Sequence, residues 1–210
     1  VSVTAENPVL TFDVPVDRAR IAFSSGLENP GLTFRATGAS FTVDRLDVKE
    51  GIALHTEPSL EAALTDLAAG ATLVYDPQGA ATLSGTVSGA GGIVILSGDV
   101  TMSSGDSSYM GGTRVASGAT VRPGVRGTLK GTVKYGPFGT VSSGNPVWLE
   151  PGARYDANGM DGASCWIRGQ GLDPIVNTGA PLSWNNEQAW GLVLDGDMEL
   201  DMATDFGFVS

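Results

Sequence analysis

Apolar and polar residues alternate along most of this chain. Arg18-Ala19-Arg20-Ile21-Ala22-Phe23, Leu32-Thr33-Phe34-Arg35-Ala36 and Ser40-Phe41-Thr42-Val43-Asp44 each place an apolar residue at every second position. A period of two belongs to strands that bury one face and wet the other. One segment departs from it. From Ser59 to Ala69, Leu60, Leu64 and Leu67 fall at helical spacing before Gly70, and the segment reads either as a helix or as two short strands.

A short unit recurs through the alternation: an apolar residue, two of any kind, Gly, a small or aliphatic residue, one of any kind, and a second apolar residue. It appears as Val48–Leu54, Leu67–Leu73, Val115–Val121, Leu149–Tyr155 and Val176–Leu182, centred on Gly51, Gly70, Gly118, Gly152 and Gly179. Gly adopts backbone conformations closed to residues with a Cβ, so each unit predicts a corner between two strands. Corners recurring every 20–50 residues with no helices between them predict a solenoid whose coils are strands, with loops of uneven length. A β-sandwich or jelly roll is the alternative, being equally turn-rich and alternating.

Composition sharpens this picture. Thirty glycines in 210 residues are roughly double the usual share of about 7%, as a fold with many turns requires. Net charge is −11 with only 12 Lys plus Arg, a field that repels nucleic acid and anionic membrane surfaces. No apolar run is long enough to cross a bilayer as a helix, so no direct membrane insertion is expected. Cys165 is the single cysteine, which excludes an internal disulfide and reads as a small buried apolar residue. Without a signal peptide or starting Met, residues 1–210 read as one domain or as a mature or excised segment of something larger.

Residues 89–124 carry a more specific signal. They offer a Gly-rich lead at Gly89-Ala90-Gly91-Gly92, a strand at Val100–Gly105, a turn at Tyr109-Met110-Gly111-Gly112-Thr113, and a strand at Val115–Val121 that includes Gly118. This ordered set resembles the autotransporter-associated β-strand repeat, also called the passenger-associated transport repeat. It departs from the usual pattern at Asp99-Val100 and at Met110. The resemblance covers about 36 residues; more loosely, 18–83 and the coils around Asp156-Ala157-Asn158-Gly159, Gly169-Gln170-Gly171 and Leu192–Leu200 look similar to the rest of such passengers. It implies a right-handed parallel β-helix on the outer-membrane surface of a Gram-negative-type bacterium, or secreted from it. The role would be display or adhesion beside neighbouring domains of a longer chain, with no cofactor.

Candidate chemistry is sparse. His55 is the only histidine, lies in a strand-like run, and has no partner set for zinc, so neither a metal site nor a catalytic residue is assigned. Asp195, Asp197, Glu199 and Asp201 alternate and would project from one face of a straight strand, too spread for calcium. The four tryptophans, Trp148, Trp166, Trp184 and Trp190, all lie in the second half. Trp184, Asn185, Asn186, Glu187 and Trp190 combine rings with amide and acid groups, as a glycan-binding face does, or else the rings cap the core of the last coils. Host or environmental glycans are therefore candidate partners. A carbohydrate-binding adhesin and a polysaccharide-active β-helix enzyme stand as alternatives to a non-catalytic passenger.

Overall fold

The computed structural model describes residues 9–12, 20–23, 31–36, 41–48, 52–55, 59–160, 165–169, 171–172, 175–176, 178–179, 192–195 and 198–199, with side chains for 46–48, 61–160, 165–169, 175–176 and 178–179. The described residues form an all-β parallel solenoid and contain no helix. One nine-stranded sheet stacks β1 (Val9–Phe12), β3 (Gly31–Ala36), β5 (Ile52–His55), β7 (Thr72–Tyr75), β9 (Gly92–Ile95), β11 (Thr113–Val115), β16 (Val147–Leu149), β18 (Cys165–Arg168) and β21 (Leu192–Asp195). The eight-stranded sheet stacks β2 (Arg20–Phe23), β4 (Phe41–Val48), β6 (Ser59–Leu67), β8 (Ala80–Gly89), β10 (Asp99–Met102), β12 (Thr120–Pro123), β17 (Arg154–Asp156) and β20 (Ile175–Val176). The chain crosses from one sheet to the other on each coil, and the paired neighbours run parallel. A sandwich or jelly roll would pair its strands antiparallel, so the register decides for the β-helix.

The regular coil is twenty residues. Leu73, Ile93 and Thr113 stack in register, and so do Tyr75, Ile95 and Val115. These positions are buried, as are Val100, Val121 and Tyr155 on the facing sheet. Alternation thus becomes a set of inner ladders, each large apolar rung contributing about 1.5–3 kcal/mol of burial.

Three of the five Gly-centred units form the expected corner, whereas Gly179 lacks the left-handed backbone and instead packs closely on the Asn158 backbone. Ala68-Ala69-Gly70-Ala71, Ala116-Ser117-Gly118-Ala119 and Glu150-Pro151-Gly152-Ala153 are three versions of one turn. In each, the last amide donates to the first carbonyl and the glycine has φ near +80°. The alanine that follows is buried, because the chain re-enters the core there. The uneven spacing of these units also has a cause. The units at Gly70 and Gly118 lie at different corners, the first leading into the nine-stranded sheet and the second out of it. Those at Gly118 and Gly152 share a corner, the Gly118 amide donating to the Gly152 carbonyl. Gly51 lies outside the described residues.

The helical reading of 59–69 is corrected: Ser59–Leu67 is a single strand, β6. Its register on β8 slips between Glu61 and Leu64, leaving Ala62 and Ala63 opposite Gly85. The bulge bends the strand and changes which parity faces inward, so Ala62, Thr65 and Leu67 are buried. A strand that switches parity mimics helical spacing. Beyond the bend a third side continues as a stack: the Ser108 amide donates to the Val87 carbonyl and the Thr140 amide to that of Tyr109. Ser107 and Ser108 belong to this stack, and the Ser107 hydroxyl accepts the Val87 amide.

The expected single acidic strand at 195–201 is also corrected. Asp195 ends β21, whereas Glu199 lies in β22 (Met198–Glu199), which pairs with β19 (Gly171–Leu172) in a separate sheet. Between β12 and β16 an antiparallel meander of β13 (Thr128–Lys130), β14 (Val133–Gly136) and β15 (Gly139–Thr140) interrupts the coils. The ladder continues across it, Val147 stacking directly on Thr113.

Candidate functional site

The Tyr109-Met110-Gly111-Gly112-Thr113 turn is built from the inside. Tyr109 is buried, and its hydroxyl shares a 2.5 Å hydrogen bond with the Thr113 hydroxyl. Burial pushes the Tyr109 phenol above its ordinary range. Gly112 has φ +78° and donates its amide to Asn145 Oδ1 at 2.7 Å. A Cβ on Gly111 would lie 2.4 Å from the backbone of Gly91, and one on Gly92 would lie 2.7 Å from the Gly111 carbonyl. Successive coils approach too closely at this corner for side chains, and glycine alone fits.

A surface groove of about 380 Å³ follows from that requirement. Gly91, Gly92, Gly111 and Gly112 contribute backbone to its lining, and Arg114 and Trp148 border it. None of the described lining residues carries a carboxylate. Trp148 stands between buried Val147 and Leu149 on β16, so period two turns it outward, and 48% of it is exposed. In register it lies between Arg114 and Arg168. The Arg168 guanidinium stacks over the indole at 5.1 Å, and Arg114 Nε donates to Glu150 Oε1 at 2.6 Å. An aromatic face, a donor–acceptor pair and bare backbone thus meet on one outer surface.

Other polar groups serve the fold. Asp156 is fully buried: it accepts the amides of Asn158 and Thr178 and the Thr178 hydroxyl, with Arg122 Nε 3.5 Å away. The Asp156-Ala157-Asn158-Gly159 turn seen in the sequence is tied down by these bonds and by Asn158, which donates to the Pro123 carbonyl. Asp106 accepts from Thr128 and Lys130, contacts that hold its carboxyl below the usual range. Cys165 is buried beside Tyr155, and burial pushes its thiol up to about 12.

His55 lies in β5, in register with buried Tyr75. Trp166 is half-buried on β18. Trp184, Asn185, Asn186, Glu187 and Trp190 lie outside the described residues. Among the described residues, no group of three or more His, Cys, Asp or Glu gathers to hold a metal ion, and no helix is long and apolar enough to cross a membrane.

The sequence pointed to the tryptophans as a set and singled out the last two, missing Trp148. The signal for it is local: Val147-Trp148-Leu149 alternates, so a ring between two buried aliphatics must face out. No family model, curated protein or solved structure matches the chain.

Proposed function

We propose that this chain is a non-catalytic, extracellular β-solenoid module of a bacterial surface protein, a passenger or stalk that holds neighbouring domains at a distance and offers its outer face for adhesion. The observation that carries this reading is the continuous inner ladder Leu73–Ile93–Thr113–Val147–Ile167, which persists across a 23-residue excursion at 124–146. A core of that kind extends by repetition, each coil adding about 4.8 Å, which suits a spacer. The resemblance of 89–124 to the autotransporter repeat supports the same role. Those residues supply β9 and β10, the Tyr109 turn, and β11 and β12. Several carboxylates are engaged in structural contacts: Glu150 with Arg114, Asp99 with Arg122, and Asp156 with its turn.

Surface accessibility tests this reading. Antibodies raised against the chain should label intact cells of the source organism, and external protease should remove the epitope without lysis. Detection only after lysis would refute an extracellular role. Reproducible product formation on a panel of acidic and neutral glycans would instead establish the enzyme alternative.

A further inference from the structure

We propose that the groove beside Trp148 binds a neutral, extended oligosaccharide lying along the solenoid axis. Trp148 presents a large apolar ring to water at 48% exposure, in a chain whose other described inner and outer positions account for their aromatic rings by burial or half-burial. The ring is held in place: Arg168 stacks on it, at 5.1 Å, from the following coil. A pre-positioned indole loses little freedom when the apolar face of a pyranose settles on it.

Recognition of hydroxyls needs a donor and an acceptor side by side. Arg114, which borders the groove, and Glu150, which is bonded to it from just outside the lining, supply them. Their mutual bond uses only part of the five-donor guanidinium fork and of the carboxylate lone pairs. The four glycines leave that part of the groove as bare backbone, so a ligand can approach it closely.

Charge selects a neutral ligand. Arg114 is balanced by Glu150, Arg168 is engaged on the Trp148 ring, and the net charge of −11 disfavours a polyanion. Spacing favours an extended chain along the axis, because adjacent coils lie about 4.8 Å apart, close to the length of one pyranose unit. Binding here is independent of where the protein resides, so its outcome and that of the surface-accessibility test are separate.

The test is calorimetric titration of the 210-residue chain with cellohexaose, xylohexaose and mannohexaose, and with a galacturonate hexamer as the anionic probe. At least one neutral hexasaccharide should bind. Trp148→Ala should weaken it by about tenfold, the scale of one lost aromatic contact. Ala90→Arg, which fills the groove from an exposed position, should weaken it as much, and Leu129→Ala on the meander should change nothing. Circular dichroism and thermal unfolding of each variant establish that it is folded. The proposal is overturned if none of the neutral hexasaccharides binds at millimolar concentration, if binding survives Trp148→Ala and Ala90→Arg, or if the galacturonate hexamer binds more tightly than all three.

Discussion

Gly85 shows how far a single residue can be dictated by its neighbours. It has φ +83°, and a Cβ there would fall 1.5 Å from the carbonyl oxygen of Ala62, the bulged residue opposite. Gly70 has a similar φ of +78° but open space around it. Gly70→Ala should therefore cost about 1 kcal/mol, the price of left-handed backbone alone. Gly85→Ala should cost about 2–4 kcal/mol, since backbone must also move. Urea unfolding of the two variants compares them directly; equal losses would mean the Ala62 carbonyl yields freely.

Cys165 gives a second prediction at this scale. Its thiol stays protonated in the fold until pH approaches about 12, against an ordinary value of 9.0. It should resist a thiol reagent at pH 8 in the native protein and react on unfolding. The folded value is raised, so its contribution to stability is complete below pH 9 and lost as pH climbs toward 12. The buried phenols of Tyr109 and Tyr155, raised in the same direction, add to the alkaline loss above pH 10. Thermal unfolding between pH 8 and 11 should show a falling melting temperature, and Cys165→Ala should remove the part that begins at pH 9.

The meander is the element whose attachment is most concentrated. Asn145 is buried; it accepts from Gly112 and donates to the carbonyls of Phe138 and Thr140. Asn145→Ala would orphan three backbone groups and should cost about 2–4 kcal/mol. Asp106 ties the outer strand of the meander to the coil from an exposed position, and Asp106→Asn should change stability by less than about 1 kcal/mol. Hydrogen exchange in β13 and β14 should accelerate in the first variant and stay near wild type in the second.

What the sequence revealed of these elements follows from their physics. Strands of constant parity, such as Thr72–Tyr75 and Asp99–Met102, announce themselves by alternation. Ser59–Leu67 does not, because its bulge breaks the parity. The meander was invisible for the opposite reason: Thr128-Leu129-Lys130 alternates as any coil strand does. Its one distinguishing mark is charge, since residues 124–146 hold Arg126, Lys130 and Lys134 and no carboxylate. Trp148 was legible from its two aliphatic neighbours, but only its register between two arginines and beside the glycine corner makes it part of a site, and register is a long-range property.

At the scale of the whole molecule, the repeat predicts its own tolerance. Removing residues 93–112 deletes one complete twenty-residue coil and places Thr113 on Leu73, inner face to inner face. That variant should fold, with a β-type circular dichroism spectrum and a cooperative transition. Removing 93–111 shifts all that follows by one residue and turns buried positions outward; it should not fold. If both deletions folded equally well, the inner ladder would not be what fixes register.

The same ladder sets how the molecule answers to force. The hydrogen bonds between coils, such as Thr113 to Pro146 and Ala116 to Ile95, run along the axis of stacking. Tension applied along that axis loads them one coil after another instead of all together. Each coil that lets go releases twenty residues, about 70 Å of chain, in exchange for about 4.8 Å of stack. Pulled from its two ends, the protein lengthens in steps and dissipates work at each one; the twenty-residue coils give the common step, and the coils from Val9 to Thr33, from Thr113 to Val147 and from Cys165 to Leu192, with their longer stretches of chain, give larger ones.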